Sequence, residues 1–292
     1  MRKVQLILIA IFFVTGLNAQ VTSNKVLSDI QFYADVMANA GLVESRAVAQ
    51  EKFSVLFSEW INSPSFNEED LNNIQWLSVK SPKDATFKLI TWQLEKEKGN
   101  FEYFGYILKG NNIIQLLNTK VAEDLEYEVF SENEWLGALY YNILEVDNDG
   151  AVYYILFGYD GHTVAEHRKI ADVLYFEGNS PVFGKDIFKE SKEGKRDVII
   201  NRLILDYSSD ANISLNYNPD LKMIIFDHLI ARIGIGNNKG VSMLPDGSYV
   251  GYKWNGKYFD YIEKIYDQVS ETAPRPQPIL GNGNRDLFGK KK

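Results

Sequence analysis

The chain has 292 residues, of which 45% are hydrophobic and 24% charged, with a formal net charge of −8 and no cysteine. These values are typical of a globular protein long enough to bury a core without disulfides. The lack of cysteine excludes thiolate zinc sites, iron–sulfur clusters, cysteine nucleophiles and a lipid-anchored cysteine. The acidic balance disfavours nucleic acid and anionic lipid as partners.

The first nineteen residues have the order of a secretory signal peptide. Met1-Arg2-Lys3 is basic, Val4 to Val14 is apolar except for Gln5, and Thr15 to Ala19 ends on a small residue. The apolar run is about half of the roughly 20 residues that a membrane-spanning helix needs. The pattern therefore predicts cleavage after Ala19 and export to the periplasm. No later segment reaches spanning length, so we expect no integral membrane segment in the mature chain.

Residues 20–73 are predicted to be helical. Ser23 is expected to cap a first helix that stops near Gly41, and Pro64 is expected to end a second. The two apolar faces, at helical spacing, are Val26, Ile30, Tyr33 and Met37, and then Phe53, Leu56, Phe57 and Trp60. A short third turn is expected at Asn67 to Asp70, where carboxylates suit a helix start.

From residue 74 the apolar residues alternate, which predicts an antiparallel β-rich domain over 74–270. The expected strands are 87–94, 101–108, 113–117, 140–146, 151–158, 169–176, 182–188, 198–207, 213–217 and 221–226. A last hairpin is expected at Asn255-Gly256, the strongest two-residue hairpin signal. The segment 118–137 is ambiguous and rich in Glu. It is a candidate boundary between two β-subdomains; alternatively, one large sheet system runs through it.

Residues 271–292 are predicted to form a disordered Pro/Gly/Lys tail, in which Pro274, Pro276 and Pro278 alternate. The predicted fold class is therefore α+β. A short N-terminal helical region is followed by a large antiparallel β-structure of sandwich-like or barrel-like meanders, and then by the tail.

Two of the three histidines lie close to two acids, within residues 160–167. His162 and His167 resemble a zinc-protease pair, but one residue too many separates them. Five positions on a helix turn about 500°, so the rings would point about 140° apart and could not share a metal on one face. We therefore expect no metal site, and we take Asp160, His162, Glu166 and His167 as candidate binding residues. The third histidine, His228, is expected to be structural.

No other motif indicates a nucleophile or a cofactor. Gly240-Val241-Ser242 lacks the second glycine of a serine-hydrolase elbow. The stretch 234–240 is one residue too long for a dinucleotide-binding loop, and no βαβ unit surrounds it. Asp147 to Gly150 resembles the start of a calcium loop but is more typical of a tight hairpin turn. No cofactor is predicted, and no catalytic residue can be assigned.

Part of the β-rich region resembles a family of uncharacterised exported proteins of Gram-negative bacteria. The resemblance is carried by Tyr153 to Phe188, including 156–161, 169–174 and 181–184, and by Met223 to Leu229 and Pro245 to Tyr249. It implies an envelope location and brings no established activity, ligand or catalytic residue. The C-terminal residues do not resemble a folded sorting domain for surface delivery, so we expect retention in the periplasm.

The function favoured by these patterns is non-enzymatic: binding to, or assembly with, an envelope protein or polymer. One alternative is a carboxylate-dependent hydrolase of envelope polysaccharide or peptide, with two acids facing each other across a cleft lined by Trp or Tyr. The other is a carbohydrate-binding protein with exposed aromatic rings. The chain has 17 Tyr and 17 Phe, which also fits a β-rich core.

Overall fold

The computed structural model describes residues 25–119, 124–148, 150–191, 194, 196–234 and 240–265. The predicted signal peptide, the Ser23 cap and the predicted tail lie outside the described residues. Within them the fold is α+β, with helices first and three largely antiparallel sheets after them. The predicted fold class is confirmed.

Helices form the N-terminal layer. They are α1 (residues 25–39 of the described part), α2 (Val43–Ile61) and a short 3-10 helix (Glu68–Asn73). The first helix ends before Gly41 and the second before Pro64, as predicted. Asn67 caps the 3-10 helix, because its Oδ1 accepts a hydrogen bond from the Glu69 amide at 3.2 Å. Neither these nor any other described helix has the length and apolar composition to cross a bilayer.

The described strands, in chain order, are β1 (Ser78–Lys80), β2 (Lys88–Glu97), β3 (Asn100–Lys109), β4 (Asn112–Leu116), β5 (Phe130–Ser131), β6 (Leu139–Asn148), β7 (Ala151–Asp160), β8 (Glu166–Glu177), β9 (Ser180–Phe183), β10 (Phe188–Glu190), β11 (Val198–Ile200), β12 (Leu203–Ser208), β13 (Leu215–Asn218), β14 (Met223–Ile233), β15 (Val241–Trp254) and β16 (Phe259–Ile262). Sheet 1 has the order β1-β2-β3-β4. Sheet 2 has the order β5-β9-β8-β7-β6, with β12 also paired to β8. Sheet 3 has the order β11-β10-β16-β15-β14-β13, in which β10 and β16 run parallel.

The helices and sheets stack in four layers with an apolar core between each pair. Alternation along a strand sends neighbouring side chains to opposite faces, so the two inner sheets, sheet 1 and sheet 2, are buried on both sides. In β2, Trp92 packs against the helices, while Leu89 packs on the other face against Leu156 of sheet 2. The opposite face of sheet 2, with Phe157, packs against Phe226 of sheet 3.

Two of the predicted strands are wrong, because the chain changes sheets inside them. Residues 182–188 divide between β9 in sheet 2 and β10 in sheet 3, and residues 198–207 divide between β11 in sheet 3 and β12 in sheet 2. Gly184 lies at the first crossing with φ +104°, a conformation that residues with a side chain avoid and that ends the strand. Arg202 lies at the second crossing and is fully buried.

The Arg202 guanidinium joins the second crossing to three other segments. Its Nε donates to Asp172 Oδ1 at 2.9 Å, and both side chains of this ion pair are fully buried. Its Nη1 donates to the carbonyl oxygens of Leu125 and Glu128. Its Nη2 donates to the Phe183 carbonyl at 3.1 Å. The buried Arg202 side chain thus holds Leu125 and Glu128 in place. Both residues lie in segment 118–137, for which the sequence predicts no helix or strand.

Gly251 is a position where sheet 3 has no room for a side chain. A Cβ there would lie 2.3 Å from the carbonyl oxygen of Ile224 on the neighbouring strand. We expect Gly251→Ala to lower the free energy of unfolding by roughly 1–3 kcal/mol, because the paired strands must move apart. Urea unfolding measures this, with Gly41→Ala as the control. A Cβ at Gly41 would have no atom of a described residue, other than its own chain neighbours, within 4 Å. Equal stability of the two variants would contradict the prediction.

Candidate functional site

The β7–β8 hairpin positions the four residues that the sequence indicates. Asp160 ends β7, His162 lies in the connecting loop, and Glu166 and His167 begin β8. Asp160 Oδ1 accepts the His162 amide at 2.8 Å, which forms a turn with His162 at φ +46°. Thr163 closes the loop, because its amide donates to the Glu166 carbonyl at 2.9 Å and its Oγ1 accepts from the Glu166 amide at 3.0 Å. Glu166 makes these contacts with Thr163 through its backbone.

Asp160 and His162 meet at Arg168, on the side of sheet 2 that faces sheet 1. Arg168 is buried; its Nε donates to Asp206 Oδ1 at 2.6 Å, and its Nη1 lies 3.7 Å from Asp160 Oδ2. Its Nη2 lies 3.4 Å from His162 Nε2, which fits the tautomer in which Nε2 accepts. Arg168 therefore lies between two carboxylates, with Asp206 hydrogen-bonded to its guanidinium and Asp160 further away.

His167 lies on the opposite face of β8, because consecutive strand residues alternate. Its ring contacts Tyr159 and Tyr207 edge-on, at centroid distances of 5.6 and 5.8 Å. Burial lowers the pKa of His167, and the charge of Asp160 opposes that effect. The structure therefore brings Asp160 and His162 together and places His167 in a different environment. Among the described residues, no group of three or more His, Asp or Glu side chains could hold a metal ion.

His167 is expected to make the protein less stable in mild acid. Because its pKa is lower in the folded chain than in the unfolded chain, protonation favours unfolding. The loss of stability begins as the pH falls below about 6.5, the usual pKa of histidine, and continues towards the lower pKa of His167 in the folded chain. His167→Phe keeps an aromatic ring between the two tyrosines and removes the proton site. Urea unfolding at neutral and mildly acidic pH should show a smaller loss in His167→Phe, and an equal loss in both proteins would contradict this.

A cleft between α1 and the edge of sheet 1 is a second candidate site, which the sequence patterns did not indicate. Its volume is about 200 Å³, and it is lined by Met37, Ala38, Trp76, Gln93, Glu95, Phe101 and Leu139. The cleft exists because β1 pairs only with residues 89–91 of β2, so the rest of that strand edge has no strand beside it. Below, "the Trp76 cleft" means this set of residues.

Trp76 lines this cleft in an uncommon backbone conformation. Its φ is +68°, a region that costs a residue with a side chain roughly 1–3 kcal/mol. The residue is 49% exposed, and its Nε1 donates to Asp35 Oδ1 at 3.3 Å, which holds the indole against α1. Strained residues cluster at functional sites, and an exposed ring held in place offers a flat surface for a ligand.

Polar groups of β2 lie next to Trp76 in the cleft. Gln93 Oε1 is buried and has no hydrogen-bond partner among the described residues. Leaving a buried acceptor unpaired costs roughly 1–3 kcal/mol. Glu95 is two residues further along: its Oε1 accepts from the Gly99 amide at 3.2 Å, and its Oε2 lies 4.0 Å from Arg46 Nη2. The cleft therefore combines an aromatic surface with an acceptor that lacks a donor.

The sequence contains one signal for this cleft. Trp76 lies between the helical region and the first strand, outside both apolar periods, and a large aromatic in such a position suggests exposure. Gln93 gives no signal, because a polar residue within an alternating strand is ordinary. No protein-family model, curated protein or solved structure matches this chain.

Proposed function

We propose that this protein is an exported, non-enzymatic binding protein of the cell envelope, and that the Trp76 cleft holds part of a carbohydrate polymer. The observation that carries the proposal is the unpartnered Oε1 of Gln93, a residue that lines the Trp76 cleft. A sugar ring has an apolar C–H face that can lie on the indole, and hydroxyl groups that can donate to Gln93. Ligand pockets are mostly apolar with a few placed polar groups, and Met37, Phe101 and Leu139 supply the apolar part.

The size of the cleft favours a single ring. Its volume of about 200 Å³ is smaller than the roughly 300–1,000 Å³ of sites that enclose a drug-sized ligand. We therefore propose that one sugar unit enters the cleft while the rest of the polymer remains outside. The expected export, read from residues 1–19, would bring the protein into contact with such polymers.

Carboxylate-dependent hydrolysis has less support than binding. The reaction needs two carboxyl groups on either side of the bond that breaks, roughly 5–9.5 Å apart. Among the described residues that line the cleft, Glu95 has the one carboxylate, and it accepts a bond from the Gly99 amide. Asp35 accepts from the Trp76 indole. Both acids have contacts that hold the cleft in shape.

Trp76→Ala tests the proposal directly. We expect the variant to bind soluble envelope polysaccharide fragments about tenfold more weakly, because it loses the apolar surface under the sugar ring. Calorimetry and the indole fluorescence of the wild-type protein measure the binding.

Tyr127→Ala is the matched control. Tyr127 is also 49% exposed but lies outside the Trp76 cleft, so its removal should leave affinity unchanged. Two results would refute the proposal: unchanged affinity in Trp76→Ala, or no binding of any neutral, amino or acidic glycan by the wild-type protein.

A further inference from the structure

Lys169 lies on β8 on the face of sheet 2 that is directed towards sheet 3, away from the Trp76 cleft. Ala171 and Val173, which alternate with it on the same face, are in the core between the two sheets. The Lys169 Nζ lies 4.6 Å from the ring centroid of Tyr141 and 5.3 Å from that of Tyr159. The residue as a whole is partly exposed.

The Lys169 ammonium has no acceptor among the described residues. Its Nζ has neither a carboxylate oxygen within 4.0 Å nor a hydrogen-bond partner there, and it contacts the rings of Tyr141 and Tyr159. Two other partly buried lysines do have a carboxylate nearby: Lys88 Nζ lies 3.4 Å from Glu68 Oε2, and Lys189 Nζ lies 2.8 Å from Asp197 Oδ2. Burying an ammonium without such a partner is unfavourable, and burial lowers the pKa of Lys169 accordingly.

The side chains around Lys169 supply no negative charge. Burial raises the pKa of Tyr159, and raises that of Tyr207 to about 12, so both phenols keep their protons at neutral pH. His167, whose ring contacts both tyrosines, has a lowered pKa. Asp160, the acid whose charge raises the pKa of Tyr159 and of His167, lies on the other face of sheet 2, with its Oδ2 3.7 Å from Arg168 Nη1. The site therefore has an ammonium whose positive charge no neighbouring carboxylate balances.

We propose that Lys169 anchors a binding site for a small anionic group, a carboxylate or a phosphate, beside Tyr159 and His167. The anion would accept a charge-assisted hydrogen bond from Nζ, which is stronger than a neutral one. It would supply the charge that the folded chain lacks at this position. The net charge of −8 repels anions at long range, so binding depends on these contacts. The site is separate from the Trp76 cleft and does not rest on the proposed function.

Lysine labelling tests the site in the whole protein. The protein is treated with an acetylating ester at neutral pH, in chloride, acetate, N-acetylalanine or inorganic phosphate at equal ionic strength. Mass spectrometry then gives the labelling rate of each lysine. We expect at least one of these anions to slow the labelling of Lys169 about fivefold relative to chloride, because the occupied amine cannot react. Lys253, which is exposed on β15, is the control and should be labelled at the same rate in every salt.

The anions distinguish the two sources of the ligand. Protection of Lys169 by acetate and N-acetylalanine supports the site and indicates that its ligand is the carboxylate of a peptide or acidic sugar. Protection by phosphate also supports the site and indicates a phosphorylated polymer or headgroup. Equal labelling of Lys169 in chloride and in all three other anions would overturn the proposal. Thermal unfolding gives an independent measurement. In the protecting anion, the melting temperatures of the wild-type protein and of Lys253→Met should rise more than the melting temperature of Lys169→Met. An equal rise in all three proteins would also overturn the proposal.

Discussion

Arg202→Met is expected to lower the free energy of unfolding by about 3–5 kcal/mol, because it leaves Asp172 as an unpaired charge in the interior. Both side chains are fully buried, so solvent cannot replace the lost partner. The carbonyls of Leu125, Glu128 and Phe183 lose their donor in the same substitution. Urea unfolding followed by circular dichroism measures the difference.

Lys96→Met is the control for this prediction. Lys96 Nζ and Glu102 Oε2 are 2.7 Å apart, closer than the 2.9 Å between Arg202 and Asp172, but the two side chains are 52% and 41% exposed. Exposed pairs contribute about 0–1 kcal/mol, so Lys96→Met should change stability little. Similar losses in the two variants would show that distance and not burial decides the effect.

The double variant Arg202→Met, Asp172→Leu separates the ion pair from the rest of the network. Replacing both partners with apolar residues removes the uncompensated charge, so it should recover part of the stability that Arg202→Met loses. Recovery will be incomplete, because the three carbonyls still lose their hydrogen bonds from the guanidinium. The Tyr140 hydroxyl, which lies 3.4 Å from Asp172 Oδ2, also loses that acceptor. No recovery at all would place the main cost of Arg202→Met in the carbonyl contacts.

Elements that depend on neighbours in sequence could be predicted. The break between the strands expected at 87–94 and 101–108 is the turn that joins β2 to β3, with Gly99 at φ +72°. The turn expected at Asn255-Gly256 joins β15 to β16, where Asn255 Oδ1 accepts from the Lys257 amide at 2.8 Å. In both turns the conformation depends on a glycine and a local hydrogen bond, which a short stretch of sequence contains.

The strand changes at Gly184 and Arg202 could not be predicted, because an apolar run has the same period in either sheet. The acceptors of Arg202 come from segments 19 to 77 residues away, and no local pattern encodes that distance. The structure separates His167 from the other predicted site residues for a simpler reason. The sequence placed the start of this strand at residue 169, whereas β8 begins at Glu166. Strand alternation from Glu166 sends His167 away from Arg168 and the Asp160 carboxylate.

The Trp76 cleft depends on contacts that are even further apart in the chain. Its lining comes from α1, from Trp76 and from strands of two sheets, between residues 37 and 139. It also depends on where β1 stops pairing with β2, and strand ends are the least predictable feature of a sequence. What marks the cleft is the buried Gln93 oxygen, which can be recognised only once the surrounding atoms are placed.

Gln93→Met should therefore weaken glycan binding without lowering the free energy of unfolding. Methionine has nearly the same shape and carries no amide, so a sugar hydroxyl in the cleft would lose its acceptor. We expect affinity for the glycan to fall about 10- to 100-fold, the cost of leaving one polar group unpaired in a desolvated site. The free protein loses an unsatisfied oxygen, so its free energy of unfolding should stay the same or rise by about 1 kcal/mol.

Gln115→Met makes the same change at an exposed position of β4, and should alter neither quantity. Calorimetry gives the affinities, and urea unfolding of the free proteins gives the stabilities. If Gln93→Met is destabilised and still binds, the amide serves the fold and the proposed cleft is wrong. If it is stabilised and no longer binds, the Gln93 oxygen is retained at a cost to folding, as expected for a group whose partner is supplied by the ligand.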